Sequence, residues 1–431
     1  MKLFGNMNVK NNELYIGGIS CSELAKEYGT PLYVIDEDLV RENCRSYYKS
    51  FQAQSGINRV AYAGKAFLPV AMCQIIKEEG LSLDVVSGGE LYTAYKAQFP
   101  MDKILFHGNN KTLDEIRMGV ELGVGRFVVD NFYEIEIINE IAKAKGIIQK
   151  VFLRITPGIE AHTHEYIKTG QIDSKFGFTL QNGDALEAVR DAIKFENVEL
   201  AGLHAHIGSQ IFEIEPYIEE VDTMLEFIKE IKDKFDYEIK ELDLGGGFGI
   251  YYKDGDEPKE AKEFCSEILE EAHKKSNKLC MELPKLIIEP GRSIIGNAGT
   301  TLYTMGSIKD IPGVRKYISV DGGMSDNIRP SLYNAEYECA VANKFNNDKE
   351  KVTISGKCCE SGDILLNDVN ISEAESGDLL VVATTGAYGY SMSSNYNKIP
   401  RPAVVLVKDG NAKLICKRES YEDIIMNELS I

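Results

Sequence analysis

From Arg59 to Glu289 the chain repeats one pattern: a short apolar run, a small or polar stretch, then a longer amphipathic run. Short apolar runs bounded by turn residues read as buried strands, and the runs of 3.6-residue period between them read as helices. The pattern predicts strands at Arg59–Tyr62, Ser82–Val86, Lys103–Phe106, Arg126–Val129, Lys150–Ile155, Glu199–His206, Ile239–Leu244 and Lys285–Glu289. Helices are expected between them, among them Leu68–Glu78, Thr112–Leu122, Tyr133–Lys145 and Ile218–Lys232. Such an alternation over about 250 residues predicts a closed (β/α)8 barrel. An open doubly wound sheet is the alternative. Against it, Leu244-Gly-Gly-Gly-Phe-Gly-Ile250 has Ile250 where GxGxxG needs its third glycine, and it lies late in the chain.

After Gly299 the helices give way to short alternating strands with Gly and Asp turns: Arg315–Val320, Val352–Ser355, Asp378–Ala383, Ala403–Lys408 and Ala412–Cys416. This predicts a second domain, a β-sandwich or small β-barrel. Residues 1–30 hold extended pieces such as Glu13–Ile16 and a helix near Cys21–Tyr28, outside the barrel rhythm, and are assigned to the same β domain. Pro31–Ile35 reads as a further strand. The expected division is a barrel over 31–299 and a β domain from 1–30 and 300–431.

Composition narrows the function. The 431 residues exceed one ordinary domain, and 44% are hydrophobic, as in globular proteins. A net charge of -19, spread along the chain, argues against nucleic acid or an anionic membrane as partner. No apolar run is long enough to span a bilayer, and the N-terminus lacks the apolar core of a signal peptide. Nine scattered cysteines without a CxxC pair predict reduced thiols and a cytoplasmic setting.

The strand ends carry the candidate chemistry, because polar residues at the carboxyl ends of barrel strands are where such folds place their sites. In order they present Lys65; Asp84 with Ser87-Gly-Gly-Glu90; His107; Arg154; His204, His206 and Ser209; Gly245, Gly246 and Gly247; and Glu289-Pro290-Gly291-Arg292. Lys65 stands beyond two small residues, Ala63 and Gly64, where a flat ligand can approach the backbone. A desolvated lysine there is an amine nucleophile; otherwise it is a strand-end lysine facing water. Three successive glycines can turn their amides toward one anion, and Arg292 adds a guanidinium, so the set reads as a phosphate cup or as a glycine-rich turn. Glu289 could keep a facing pyridine nitrogen protonated, or it could pair with Arg292 or Arg154. His204 and His206 share a strand face, a spacing that suits zinc, but the further ligands would have to come from His107, His162 and His164. A flat imidazole on a flat cofactor explains His206 equally well.

Six motifs in order carry a resemblance over nearly the whole chain: Tyr62-Ala-Gly-Lys-Ala66, His206-Ile-Gly-Ser209, Gly245-Gly-Gly247, Glu289-Pro-Gly-Arg292, Cys359-Glu-Ser361 and Gly386-Ala-Tyr388. Together they resemble the pyridoxal-phosphate-dependent decarboxylases of alanine-racemase fold, and most closely the branch that converts meso-2,6-diaminopimelate to L-lysine and CO2. The resemblance implies that Lys65 binds pyridoxal 5'-phosphate as a Schiff base, with Asp84 behind it. His206 would stack on the ring, Glu289 would face the ring nitrogen, and Pro290 belongs to the same cofactor motif. Ser209, Gly245 to Gly247, Gly291, Arg292 and Tyr388 would surround the phosphate, and Tyr388 would also contact the substrate. Cys359 is implied as the acid that reprotonates the α-carbon, and Glu360 as partner of the distal ammonium. Both are expected to reach into the barrel of a second subunit, making a homodimer with shared sites.

Arg329 and Tyr333, with Arg292, resemble the branch's clamp on the distal carboxylate, and two guanidinium forks suit a dicarboxylate. Alternatively, Arg329 is a surface residue fixed by Pro330. The loop from His164 to Phe178 also resembles this branch. One departure stands out: Lys357-Cys358 precedes Cys359, where the family often has a proline two before the catalytic cysteine. The alternatives are a decarboxylase of ornithine, arginine or carboxynorspermidine, and a non-catalytic regulatory look-alike.

Overall fold

The computed structural model describes residues 1–159, 174–345 and 349–431. The chain divides into two units: Cys44–Gly249 with Glu257–Ser293, and Met1–Asn43 with Ile250–Asp256 and Ile294–Ile431.

The first unit is a closed parallel barrel. Its strands are β1 (Arg59–Ala63), β2 (Ser82–Val85), β3 (Ile104–Phe106), β4 (Arg126–Val129), β5 (Gln149–Thr156), β6 (Val198–His204), β7 (Glu241–Asp243) and β8 (Lys285–Ile288). Each pairs with its sequence neighbour, and β8 pairs with β1, which excludes the open sheet. Ala61, Leu105, Val128, Phe152, Ala201 and Ile287, one each from six strands, form a buried apolar cluster in which small residues offset the bulk of Phe152. Three of the barrel helices start at side-chain caps. Ser87, Thr112 and Asn131 accept hydrogen bonds from the backbone amides of Glu90, Glu115 and Glu134. Each such cap is worth about 1 kcal/mol. Gly123 and Gly146, at φ of 76° and 66°, end two of these helices in the left-handed conformation.

The second unit is built on a mixed sheet. Its strand order is Ile364–Ile371, Glu350–Ser355, Arg315–Val320, Gly299–Ile311, Leu32–Asp36, Ala403–Lys408 and Asn411–Cys416. Leu379–Val382 also pairs with Gly299–Ile311. Two apolar clusters stabilise this unit, one around Tyr303, Ile318 and Ile354 and one around Leu14, Val34 and Val405. The strand at Leu32–Asp36 pairs with Gly299–Ile311 and with Ala403–Lys408. It therefore lies in the β unit, whereas the sequence division opens the barrel at residue 31.

Candidate functional site

The backbone ladder of the barrel runs past the strand ends and fixes the mouth. Ala63 N–H donates to Pro290 O (3.2 Å), Glu289 N–H to Gly245 O (2.6 Å), Ala205 N–H to Asp243 O (2.8 Å) and His107 N–H to Val85 O (2.7 Å). In register, His204 lies beside Arg154 on one side and Asp243 on the other, while Ala63 lies beside Asp84. The charged and imidazole side chains of the mouth therefore share one layer.

Glu289 is the centre of that layer. His107 Nε2 lies 2.7 Å from Glu289 Oε1, and His204 Nε2 lies 3.3 Å from Oε2. The two imidazoles meet edge to face at 4.8 Å. The His107 approach is not in hydrogen-bonding alignment, so Oε1 is a buried acceptor with its hydrogen bond still to make. Burial alone would raise the Glu289 pKa. The imidazoles outweigh it and hold the carboxyl well below its usual range. Asp243 moves the opposite way: burial first, then the charge of Glu289, raises it well above the usual range. Burial lowers His204 to about 3, so its ring is neutral. Arg154, one of the partners considered for Glu289, instead approaches Asp130 at 3.8 Å and lies over the Phe176 ring.

His206 does not join His204 in a metal pair. Its Nδ1 accepts the Gly246 N–H at 3.3 Å, which places the ring proton on Nε2. Burial, then the charges of Lys65 and Arg154, push its pKa well below the usual value, leaving a neutral flat ring. The histidine cluster that forms instead is His107, His204 and Glu289, whose ligand atoms lie within 4.8 Å of one another. His162, His164 and the start of the loop to Phe178 lie outside the described residues.

The glycine mouth is less open than three parallel amides. Gly245 N–H donates to Asp243 Oδ1 (2.9 Å) and Gly246 N–H to His206 Nδ1. That leaves the Gly247 amide, the Ser209 hydroxyl and Arg292, whose guanidinium donates to Ser209 Oγ at 2.9 Å. The glycines are still required: a Cβ on Gly246 would lie 2.1 Å from Glu289 O, and one on Gly247, at φ of 101°, 2.3 Å from Gly208 O. A Cβ on Gly291 would strike Ala63.

Lys65 sits on a single 3-10 turn after β1 and is exposed, so in this unit alone its amine is not desolvated. Asp84 is buried, and neither of its carboxylate oxygens has a hydrogen-bond partner. Burial raises its pKa, against the pull of His107 and Lys65.

The remaining candidates lie in the β unit. Arg329 is buried, not a surface residue. It donates to Tyr252 OH (3.1 Å) and Tyr337 OH (2.5 Å), and its guanidinium sits over both rings. Burial would lower its pKa, but the two tyrosines raise it, so it is a permanent cation. Tyr333 ends the same short helix, Arg329–Tyr333. Cys359 and Glu360 are exposed on one loop. Asp363 shapes that loop: it accepts the Cys358 amide at 2.8 Å and the Met324 amide at 2.7 Å. Gly323 and Gly356 leave room for its carboxylate, which a Cβ on either would strike. Asp363 thus takes over the rigidity that a proline would give. Cys358 is half-buried, and burial, then Asp363, raise its thiol to about 11. Tyr388 takes a left-handed conformation, φ 60°, two residues after Gly386, which packs against Ile295 O.

Sequence reasoning did not single out Asp243, Asp363, Tyr252 or Tyr337, and it placed His107 at the mouth without a partner. Strand adjacency could have signalled Asp243, since it ends the strand before the glycines. The others meet their partners only through tertiary packing.

The donor set fits pyridoxal phosphate: a buried anion with an open acceptor, a neutral flat imidazole, a hydroxyl and guanidinium for phosphate, and an accessible primary amine. Comparison with known proteins agrees. The family described as pyridoxal-dependent decarboxylase, pyridoxal binding domain, matches residues 37–296. The chain is 52% identical to diaminopimelate decarboxylase of Bacillus subtilis over 421 residues, covering 97% of this chain and 96% of that one. It is 54% identical to diaminopimelate decarboxylase of Bacillus methanolicus, covering 95% of each. The crystal structure of diaminopimelate decarboxylase from M. jannaschii in complex with L-lysine is 38% identical, with a TM-score of 0.93 and coverage of 99% and 98%. The chain belongs to the diaminopimelate decarboxylase family of pyridoxal-phosphate-dependent decarboxylases.

Proposed function

We propose that this chain decarboxylates meso-2,6-diaminopimelate to L-lysine and CO2, the last step of lysine biosynthesis, with pyridoxal phosphate as cofactor. The carrying observation is Glu289: buried, ionised between two imidazoles, and with one oxygen still lacking a hydrogen bond. Bound pyridoxal phosphate supplies an electron sink for the pair left when the carboxylate departs.

The chain's own residues do the rest. Lys65 holds the cofactor aldehyde through its amine. Glu289 keeps the ring nitrogen protonated, and His107 and His204 hold that carboxylate in place. His206, fixed by the Gly246 amide, presents a ring face. Ser209, Arg292, Gly247 and Tyr388 serve the phosphate; Gly245, Gly246, Pro290 and Gly291 position those groups. Asp84 sits behind Lys65. Arg292, Arg329 and Tyr333 bind the distal carboxylate, Glu360 the distal ammonium, and the Cys359 thiol delivers a proton to the α-carbon. Arg329 supports this reading, because its tyrosine partners orient it while leaving donors of the guanidinium fork for substrate.

The exposure of Cys359 and Glu360 supports their use in the barrel of a second subunit, hence a homodimer. Mixing Lys65→Ala and Cys359→Ala chains tests this. Half of a random mixture forms hybrids with one intact site, giving roughly a quarter of wild-type activity; no rescue would place both residues in one subunit's site. Among the described residues no helix is long and apolar enough to cross a membrane, and no cysteine is in a disulfide. A cytoplasmic enzyme is the corresponding reading.

The functional test is lysine release. Purified protein with pyridoxal phosphate should convert meso-diaminopimelate and leave ornithine, arginine and carboxynorspermidine nearly untouched. Faster turnover of one of these would move the assignment to that substrate.

A further inference from the structure

The opposite, N-terminal end of the barrel holds a second basic site. Arg59, Ser82 and Lys285 are the first residues of β1, β2 and β8, and Lys103 immediately precedes β3. These four strands are adjacent in the barrel, so the residues converge on one cavity of about 400 Å³. That is toward the small end of the roughly 300–1,000 Å³ typical of small-molecule sites. No carboxylate lines it.

Charge in this region is unbalanced. Glu241 is already engaged: Arg126 holds it bidentately at 2.7 and 2.8 Å, and Lys285 approaches it at 3.4 Å. Among the described residues, neither Arg59 nor Lys103 has a carboxylate at ion-pair distance. Four cations (Arg59, Lys103, Arg126 and Lys285) thus face two carboxylates, Glu241 and the exposed Asp102. Burial lowers Lys285 to about 8, with Glu241 opposing the shift and the nearby Arg59 and Arg126 adding to it. A cavity that concentrates positive charge in a chain of net charge -19 calls for an anion to complete it.

We infer that this cavity binds a small polyanion bearing phosphate or several carboxylates, with Arg59 and Lys103 as direct contacts and Lys285 as the third. The guanidinium offers a planar fork and the ammonium a point charge, a pairing that suits either anion class. The site lies at the opposite end of β1 from Lys65.

The test is calorimetric titration of the protein saturated with pyridoxal phosphate, at low ionic strength, with sodium pyrophosphate in one arm and citrate in the other. One anion per chain should bind in at least one arm, which also identifies the class. Arg59→Gln and Lys103→Gln should each weaken binding about tenfold or more. Lys150→Gln, which removes an exposed lysine at the start of β5, should leave it unchanged. The inference is overturned if neither probe binds, if the two cavity variants bind like wild type, or if Lys150→Gln weakens binding as much as they do. Decarboxylation by each variant reports that it has folded.

Discussion

The barrel mouth and the Cys359 loop show two ways of holding reactive groups. At the mouth, Glu289, His107, His204 and Asp243 are buried, and burial together with close neighbours sets the charge states of Glu289, His204 and Asp243. On the loop, Cys359 and Glu360 are exposed, and only the backbone beneath them is fixed, through Asp363 and through Asn397, which accepts the Cys359 amide at 2.8 Å. The mouth is a finished electrostatic device. On the proposed reading, the loop's chemistry needs another surface to desolvate it. A group that tunes a cofactor must keep one charge state, so burial among fixed partners suits it. A group that delivers a proton to a changing substrate must meet it from outside.

The comparison can be broken most sharply at Lys65. Lys65→Ala should abolish the visible absorption of bound cofactor and reduce turnover by more than about 10⁴-fold, beyond the range of a lost general acid. An unchanged spectrum would remove Lys65 from the site. Cys359→Ala should keep the cofactor spectrum but lose about 10²–10⁴-fold in turnover, while Cys358→Ala stays near wild type. If the two variants exchange behaviour, the half-buried thiol is the acid and the exposure argument fails.

Arg329→Lys sharpens the comparison within the β unit. An ammonium cannot reproduce the fork held by Tyr252 and Tyr337, so KM for meso-diaminopimelate should rise about 10- to 100-fold with kcat less affected. A fall in kcat at unchanged KM would make Arg329 a structural cation.

The smallest effect is on stability. Glu90 accepts the Val86 amide at 2.7 Å and is half-buried beside the mouth. Burial raises it from 4.5 to about 7. The folded state therefore holds a proton that the unfolded state releases between about pH 4.5 and 7, and stability falls as pH rises through that window. Glu90→Gln, which keeps an acceptor for Val86, should flatten this slope and gain at most about 3 kcal/mol at pH 8 relative to its own effect at pH 4. Denaturant unfolding at the two pH values measures the difference.

The barrel was legible because each strand announces itself by an apolar run and the helices between them by their amphipathic period. Lys65, His206, Glu289 and Arg292 were legible as strand-end residues, and the motif order attached roles to them. The strand Gly299–Ile311 was missed, since it opens on Gly and Thr and ends on polar residues. The grouping of His107, His204 and Glu289 was also missed: these residues come from β3, β6 and β8, which are not neighbours in the sheet. Their meeting depends on closure of the barrel, which no local pattern encodes. The glycine nest was over-read because Asp243 claims the Gly245 amide locally, two residues on, and His206 claims the Gly246 amide once β6 and β7 lie side by side.

The central claim is that Glu289 keeps the cofactor's ring nitrogen protonated. The most direct measurement is the nitrogen chemical shift of 15N-labelled pyridoxal phosphate bound to the protein. The account predicts a protonated nitrogen between pH 6 and 8 in wild type and an unprotonated one in Glu289→Gln. An unprotonated nitrogen in wild type, or a shift that the substitution leaves unchanged, would contradict it.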